Sequence, residues 1–257
     1  MLRAASLLLA AGLLAGAQCT PAAAIEGGTP AGSGEDLWDV AFLHLDGSLA
    51  CAGSVIGPTA IVTSASCVDG ESGIDPVFRY GSHDDTSGGS VATVGRVVIH
   101  PNYNSRTHDY DIAVVRPLLP LTLGTTAQPI ALPAQGTEPA PGTGETVSGW
   151  GRVSGSGSLS TDLLQTTLPA VARSTCQSAW GSVNTITARM ICAGTLGQNV
   201  GPCDGDRGGP LVAGSGSSAV LVGLVSWGPS GCSYSSSYSV YANVGNVRSW
   251  IGANSGV

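Results

Sequence analysis

The sequence predicts an all-β fold of the sandwich or barrel type, and three observations support that prediction. Short apolar runs rich in β-branched residues recur between clusters of Gly, Ser, Pro, Asn and Asp, which is the pattern of short strands joined by turns. Glycine accounts for 38 of the 257 residues, roughly twice its usual share of about 7%, and glycine is costly inside helices. The length suits one β unit, because sandwiches and barrels commonly reach about 200–250 residues.

The candidate strands follow one another along most of the chain. They lie at residues 60–64, 91–99, 111–115, 145–149, 163–171, 190–193, 211–213 and 220–226. Segments 133–144 and 152–159 are rich in Gly with Pro or Ser, and we interpret them as linkers too short to divide domains. Near the C-terminus four apolar residues recur at helical spacing, which predicts one short amphipathic helix. They are Val244, Val247, Trp250 and Ile251.

The first 24 residues predict export. Arg3 is followed by a short apolar stretch, and the segment ends in three alanines, which is the pattern of a secretory signal peptide. The stretch is too short to cross a bilayer, for which roughly 20 apolar residues are needed. Cleavage after Ala17 would leave a short pro-segment from position 18, whereas cleavage after Ala24 would make Ile25 the first residue of a domain over 25–257. We therefore expect a secreted, extracellular protein.

Charge and cysteine content exclude several classes of partner. The net charge is −7, and the ten basic residues, all Arg, form no cluster, so nucleic acids and anionic membranes are poor partners. If Cys19 is removed with the leader, six of the seven cysteines remain, and an even number favours three disulfides in an exported protein. Sequence alone does not choose among the 15 pairings. Because no CxxC or Cys/His cluster occurs, we expect no metal and no cofactor.

Five short motifs occur in a fixed order. They are IEGG at 25–28, TSASC at 63–67, HDYDIAV at 108–114, VSGWG at 147–151, and GDRGGP at 205–210 followed by SWG at 226–228. With these motifs and its cysteines, the chain resembles the trypsin/chymotrypsin family of serine proteases over about residues 25–252.

The resemblance implies two packed six-stranded antiparallel β-barrels, with the active site in the cleft between them. It also implies that an amine freed at Ile25 is buried against Asp206. The disulfides that it implies are Cys51–Cys67, Cys176–Cys192 and Cys203–Cys232, with Cys19 left over.

The same resemblance implies that the catalytic groups are changed. The family uses a Ser nucleophile, a His base and an Asp that orients the His. Asp111 matches that Asp, Ser66 stands where the His belongs, and Arg207 stands at the nucleophile. A guanidinium has no lone pair with which to attack, and a serine hydroxyl does not accept a proton near neutral pH as imidazole does. Only the backbone N–H groups of Gly205 and Arg207 would remain as an oxyanion hole.

Two further expectations concern the cleft. We expect Arg207 to pair with Asp111, the alternatives being that it turns to solvent or covers Gly201. The pocket for a substrate side chain should be uncharged and partly filled, because Gly201 stands where proteases specific for basic residues carry Asp, and Ser239 replaces a Gly. The residues that the resemblance assigns to this pocket are Gly201, Pro202, Ser226, Trp227, Gly228 and Ser239.

These substitutions lead us to expect a pseudoenzyme rather than an enzyme. It would be a monomer that binds an unidentified secreted protein, as a decoy, a cofactor or an inhibitor of a secreted enzyme such as a host glucanase. One alternative is an active serine endopeptidase with unrecognised catalytic groups, and another is a purely structural secreted domain. His108 could approach the cleft rim, although a solvated loop histidine is the simpler interpretation, and Ser66 as a displaced nucleophile has no evident base in the sequence.

Overall fold

The computed structural model describes residues 25–70 and 77–257. The predicted signal peptide and Cys19 lie outside the described residues. The structure contains two closed antiparallel β-barrels and a C-terminal helix, so the predicted fold class is confirmed.

A two-residue strand, β1 (Thr29–Pro30), precedes the first barrel. The six strands of that barrel are β2 (Asp39–Leu43), β3 (Leu49–Gly57), β4 (Ala60–Thr63), β5 (Val77–Tyr80), β6 (Ser90–Ile99) and β7 (Ala113–Pro117). They close in the order β2-β3-β4-β7-β6-β5. Successive side chains of a strand point to opposite faces. Accordingly, Val40 and Phe42 of β2 pack inside this barrel, whereas Ala41 and Leu43 pack against Trp150 of the second one.

The second barrel also has six strands. They are β8 (Gly144–Gly149), β9 (Leu164–Val171), β10 (Met190–Ala193), β11 (Pro210–Ala213), β12 (Val220–Trp227) and β13 (Ser239–Asn243). They pair in the order β9-β10-β13-β12-β11-β8, and the pairing of β8 with β9 closes the ring. Strand β1 adds to the first residues of β9, with Thr29 opposite Gln165. The start of the described chain is thereby attached to the second barrel.

Within residues 25–70 and 77–257, three α-helices accompany the barrels. They are α1 (Ala65–Val68), α2 (Arg173–Trp180) and α3 (Val244–Ser255). Helix α3 confirms the predicted C-terminal helix. Helix α2 was not predicted, because only Cys176 and Trp180 are buried in it and a single apolar pair gives no periodic signal. None of the described helices is long and apolar enough to cross a membrane.

The two barrels share hydrophobic contacts. One buried cluster joins Val62 and Val114 of the first barrel to Leu221 and Leu224 of the second, and Ile251 of α3 packs into it. Burying such side chains stabilises the fold by roughly 1.5–3 kcal/mol each. The disulfides are Cys51–Cys67, Cys176–Cys192 and Cys203–Cys232, the same pairs that the resemblance implied. Both barrels thus hold a common cleft in place.

Candidate active site

A cavity of about 470 Å³ lies in the cleft between the barrels. The first barrel contributes Ala50 and the Cys51–Cys67 disulfide to its lining. The second barrel contributes most of the remaining lining, from the loop at residues 202–207 and from the segment after β12. Of the residues that the sequence singled out, Gly205, Arg207 and most of the expected pocket residues line this cavity, whereas Ser66 and Asp111 are buried beside it.

Asp111 is wholly buried beside this cleft and is held by three donors. Its Oδ1 accepts a hydrogen bond from the backbone N–H of Ser66 at 2.7 Å. Its Oδ2 accepts from the hydroxyl of Ser66 at 2.9 Å and from the hydroxyl of Ser226 at 2.5 Å. A buried carboxylate is costly unless it is hydrogen-bonded, and these donors meet that requirement. The structure thus joins Asp111 with Ser66, which lies in α1, and with Ser226 at the end of β12.

His108 lies directly beside Asp111. Its Nδ1 is 3.6 Å from Asp111 Oδ2, and its side chain is about one quarter exposed (24%). Its Nδ1 is buried and makes no hydrogen bond to a described residue. The imidazole lies nearly parallel to the Trp227 ring, with centroids 6.4 Å apart. The interpretation of His108 as a solvated loop residue is therefore wrong, because its ring is packed between Asp111 and Trp227.

Arg207 is exposed in the cleft. Its backbone oxygen accepts a hydrogen bond from Ala52 N at 2.8 Å, which fixes the main chain against β3. Its guanidinium forms no hydrogen bond and no ion pair with any residue in the described ranges, so the expected ion pair with Asp111 is not formed. Arg207 is instead an exposed residue of the cavity lining. Burial raises the pKa of the Tyr103 phenol, and the positive charge of Arg207 lies near enough to oppose that rise.

The backbone N–H groups of Gly205 and Arg207 donate to no group among the residues described. Gly205 has φ +101°, and a Cβ there would lie 2.8 Å from Leu159 Cδ2 and 2.9 Å from Gly151 Cα. Only glycine fits this conformation and this space. Two unpaired N–H groups in one loop beside a cavity can stabilise a negatively charged oxygen.

Asp206, between the two residues of the backbone donor pair, is fully buried. Its two carboxylate oxygens accept backbone N–H groups from Gly151 at 2.7 Å and Cys203 at 2.8 Å. Burial raises the pKa of Asp206 to about 8. The Ile25 side chain is buried in the core of this barrel, and Glu26 exchanges two backbone hydrogen bonds with Gly201. The ion pair between an Ile25 amine and Asp206 requires a chain that begins at Ile25, and it stays a prediction.

Five of the six expected pocket residues line the cavity. They are Pro202, Ser226, Trp227, Gly228 and Ser239. Gly201 does not, because Tyr234 lies against it, and a Cβ on Gly201 would be 2.8 Å from the tyrosine ring. The Tyr234 hydroxyl donates to the backbone oxygen of Pro202. Sequence reasoning missed Tyr234, since an aromatic residue two positions after Cys232 gives no recognisable signal.

Across the described part of the chain, no group of three or more His, Cys, Asp or Glu side chains is placed to hold a metal ion. The chemistry available at Asp111 and the adjoining cleft is therefore that of two serine hydroxyls on a carboxylate, an adjacent imidazole, two backbone N–H donors and one guanidinium.

The chain is similar to known proteins over nearly all of the described residues. The family model "Trypsin" matches residues 25–251. The chain is 42% identical to Trypsin Blo t 3 of Blomia tropicalis over 78% of this chain and 75% of that protein. It is 40% identical to Trypsin alpha-4 of Lucilia cuprina, with 83% and 80% covered. It is 39% identical to Trypsin beta of Drosophila erecta, with 88% and 87% covered.

These relatives correct one expectation. The prediction that the chain is not an enzyme is contradicted, because the relatives are named as trypsins and trypsins are enzymes. The expectation of a trypsin-like fold with disulfide bonds is confirmed. By its family model and by relatives at about 40% identity, the chain belongs to the trypsin family.

Proposed function

We propose that this chain is a secreted serine-type endopeptidase of the trypsin family in which Ser66 is the nucleophile and Asp111 the base. The observation that carries the proposal is the 2.9 Å hydrogen bond from the Ser66 hydroxyl to Asp111 Oδ2. A nucleophile and its base must lie within hydrogen-bond reach, roughly 2.6–3.2 Å, with the base held by further groups. Ser226 and the Ser66 N–H hold Asp111 in this way.

The reaction then uses Ser66 and Asp111, which are buried beside the cavity, together with backbone donors from the loop that lines it. The Ser66 oxygen attacks the carbonyl carbon while its proton passes to Asp111. The N–H groups of Gly205 and Arg207, which are unpaired within the described structure, stabilise the negative oxygen that forms. The tetrahedral intermediate then collapses: the bond between the carbonyl carbon and the amide nitrogen breaks, and the amine leaves with the proton that Asp111 had accepted. His108 lies beside this proton, with its Nδ1 3.6 Å from Asp111 Oδ2. Water then hydrolyses the acyl-enzyme.

The proposed substrate is a polypeptide with a neutral side chain at the position before the cleaved bond. The inner wall that would receive this side chain carries Pro202, Trp227, Tyr234 and Ser239 and no charge. Arg or Lys would be left unpaired there, and burying an unpaired charge is expensive. The three disulfides agree with export to an oxidising compartment.

The expected activity is slow. The reason is that a carboxylate replaces imidazole as the base. A comparable triad without its catalytic side chains still accelerates the reaction on the order of 10³–10⁴-fold over water, through its oxyanion hole and substrate binding. We expect ester hydrolysis at that level or somewhat above it for this chain.

The test combines turnover with labelling of the serine. The protein starting at Ile25 is mixed with p-nitrophenyl esters of neutral peptides and, separately, with a fluorophosphonate probe whose attachment is mapped by mass spectrometry. Burst release of nitrophenol and a label on Ser66 are the expected results. Ser66→Ala should abolish both, whereas Ser233→Ala, an exposed serine in the segment between Cys232 and Tyr234, should keep both. No label on Ser66, or hydrolysis that survives in Ser66→Ala, contradicts the proposal.

A further inference from the structure

The geometry points to a second capability of this cleft: a binding site for the C-terminal carboxylate of a polypeptide, formed by Arg207 with the N–H groups of residues 205 and 207. This inference goes beyond the proposed hydrolysis and does not depend on it, because a carboxylate held at this place has no bond to be cleaved. It rests on the guanidinium, on the two backbone donors and on the adjacent pocket.

The guanidinium is the first element of the site. Arg207 lines the cavity, is exposed, and makes no hydrogen bond or ion pair with any described residue. An arginine presents its N–H groups in a planar fork that matches a carboxylate with two parallel hydrogen bonds. Because no described acidic side chain occupies this fork, it is available to a ligand that enters the cleft.

The backbone supplies the second element. The N–H groups of Gly205 and Arg207 are unpaired within the described residues, and the bond from Ala52 N to the oxygen of Arg207 fixes the peptide next to them at 2.8 Å. Successive backbone N–H groups in a turn can form an anion-binding concavity. One carboxylate oxygen can lie on these donors while the other faces the guanidinium, so both kinds of donor act on one ligand group.

Arg207 is the one basic residue of the loop at residues 202–207. Asp204, which also lines the cavity, is exposed and lies 3.9 Å from Arg152 Nε, which partly offsets its charge. Asp206 is buried and already accepts two backbone N–H groups. Asp111 is buried and already accepts hydrogen bonds from the hydroxyls of Ser66 and Ser226. Arg207 therefore attracts an anion that reaches this loop. Asp204 is the exposed carboxylate nearest to it in sequence.

The neighbouring pocket identifies which carboxylate fits. A C-terminal residue carries its carboxylate on the same Cα as its side chain, so a side chain seated in the neutral pocket places the carboxylate at the pocket mouth, where Arg207 stands. An acidic side chain within a longer peptide would have to extend away from that pocket to reach the same donors. Capture of a terminal carboxylate by backbone donors is a recurrent mode of peptide recognition.

Equilibrium binding tests the site. An N-acetyl tetrapeptide ending in valine is titrated into the protein by calorimetry, with a free carboxylate and, in parallel, as the C-terminal amide. An amidated peptide with Glu as its last residue is the third ligand. The Ser66→Ala background is used throughout, so that binding is measured without turnover and failure of the proposed hydrolysis does not affect the result.

We expect the free carboxylate to bind at least tenfold more tightly than either amide. Arg207→Gln should remove that preference, Arg207→Lys should keep part of it, and Arg96→Gln, an exposed arginine on β6, should leave it unchanged. Equal affinity for the carboxylate and the amides, a preference that survives Arg207→Gln, or no binding of any peptide would overturn the inference. Equal binding of the Glu amide and the free carboxylate would overturn the assignment to a C-terminus.

Discussion

At the residue scale, single glycines allow main-chain segments to approach one another closely beside the cleft. Gly208 follows Arg207 and has φ +81°, and a Cβ there would lie 2.1 Å from Thr63 Oγ1 and 2.3 Å from the oxygen of Ala52. Both atoms belong to the first barrel, whereas Gly208 belongs to the second. The close approach at this one residue lets the Arg207 loop lie against the first barrel.

Three glycine-to-alanine variants separate strain from crowding. Gly124→Ala, with no positive φ and open space, should be neutral or stabilising by about 0.4–1 kcal/mol. Gly47→Ala, with φ +85° and open space, should cost about 1–2 kcal/mol from the left-handed backbone alone. Gly208→Ala should cost clearly more, because the clash adds to the strain. Urea unfolding followed by fluorescence gives the free energies, and a Gly208→Ala cost no greater than that of Gly47→Ala would contradict this account.

Asp206 predicts a pH effect that depends on where the chain begins. Burial raises the pKa of Asp206 to about 8, whereas an unfolded Asp titrates near 3.9. The unfolded state therefore loses its proton first, and stability falls as the pH rises from about 4 to about 8. In a chain beginning at Ile25, an amine paired with Asp206 should favour the ionised carboxylate and remove much of this loss.

The measurement compares unfolding free energies at pH 5 and pH 8 for the chain starting at Ile25 and for the same chain with residues added before Ile25. The extended form should lose more stability on going to pH 8, and Asp206→Asn should flatten its pH dependence. Identical pH dependence in the two forms would show that the amine does not reach Asp206.

At the element scale, α3 shows how one side chain starts a helix and attaches it to the second barrel. Asn243, at the end of β13, precedes the helix, and its side-chain oxygen accepts the backbone N–H of Asn246 at 3.2 Å. The first N–H groups of a helix have no partner within the helix, so this bond satisfies one of them. The same side chain donates to the oxygen of Ala188 at 3.0 Å and to Glu138 at 2.9 Å. Strand, helix and loop are thus joined at a single buried amide.

Asn243→Ala is expected to destabilise the protein by about 2–3 kcal/mol. The helix cap contributes about 1 kcal/mol, and the loss of buried hydrogen-bond partners adds a comparable amount. Asn246→Ala is the matched control, because only the backbone of Asn246 takes part in the cap, and its effect should stay within about 0.5 kcal/mol. Chemical unfolding measures both variants, and equal effects would show that Asn243 does not cap the helix.

At the scale of the whole molecule, the barrels are joined by a buried polar contact as well as by apolar packing. Asp39 of β2 accepts a hydrogen bond from the hydroxyl of Ser148 of β8 at 2.7 Å. Burial raises the pKa of Asp39 well above its usual range, and the negative charges of Asp36 and Asp206 raise it further, against the bond from Ser148. A carboxylate at the junction therefore opposes folding when it is ionised.

Asp39→Asn should stabilise the protein at pH 8 and have little effect near pH 4. The raised pKa means that the unfolded state ionises first, so the wild type loses stability as the pH rises above about 4, whereas Asn can still accept from Ser148. Asp84→Asn is the opposite control, since hydrogen bonds from Thr86 and Ser87 lower the pKa of Asp84 to about 2. Asp84 stabilises the fold above its unfolded pKa, so this variant should be destabilised at neutral pH. Thermal unfolding at both pH values measures the stability of each variant. A destabilised Asp39→Asn at pH 8 would show that the ionised Asp39 does not oppose folding.

The fold class, the C-terminal helix and the residue types available for chemistry follow from the sequence alone. Short apolar runs rich in β-branched residues between turn residues predict strands, and the ordered motifs place Ser66, Asp111, Gly205 and Arg207 in one family pattern. These signals are local, so they can be recognised without knowing which distant segments meet. The short helix α2 escaped notice because eight residues with two buried side chains carry too little periodicity.

The surroundings of those residues depend instead on how distant segments pack. Ser226 reaches Asp111 across 115 positions of sequence, and His108 packs against Asp111 because its loop adopts a positive φ of 54° that no pattern predicts. Tyr234 covers Gly201, and Arg207 is exposed and forms no ion pair with Asp111. Sequence specifies residue types at positions along the chain, whereas the hydrogen bonds, buried charges and crowded glycines of this cleft arise only when both barrels close and pack together.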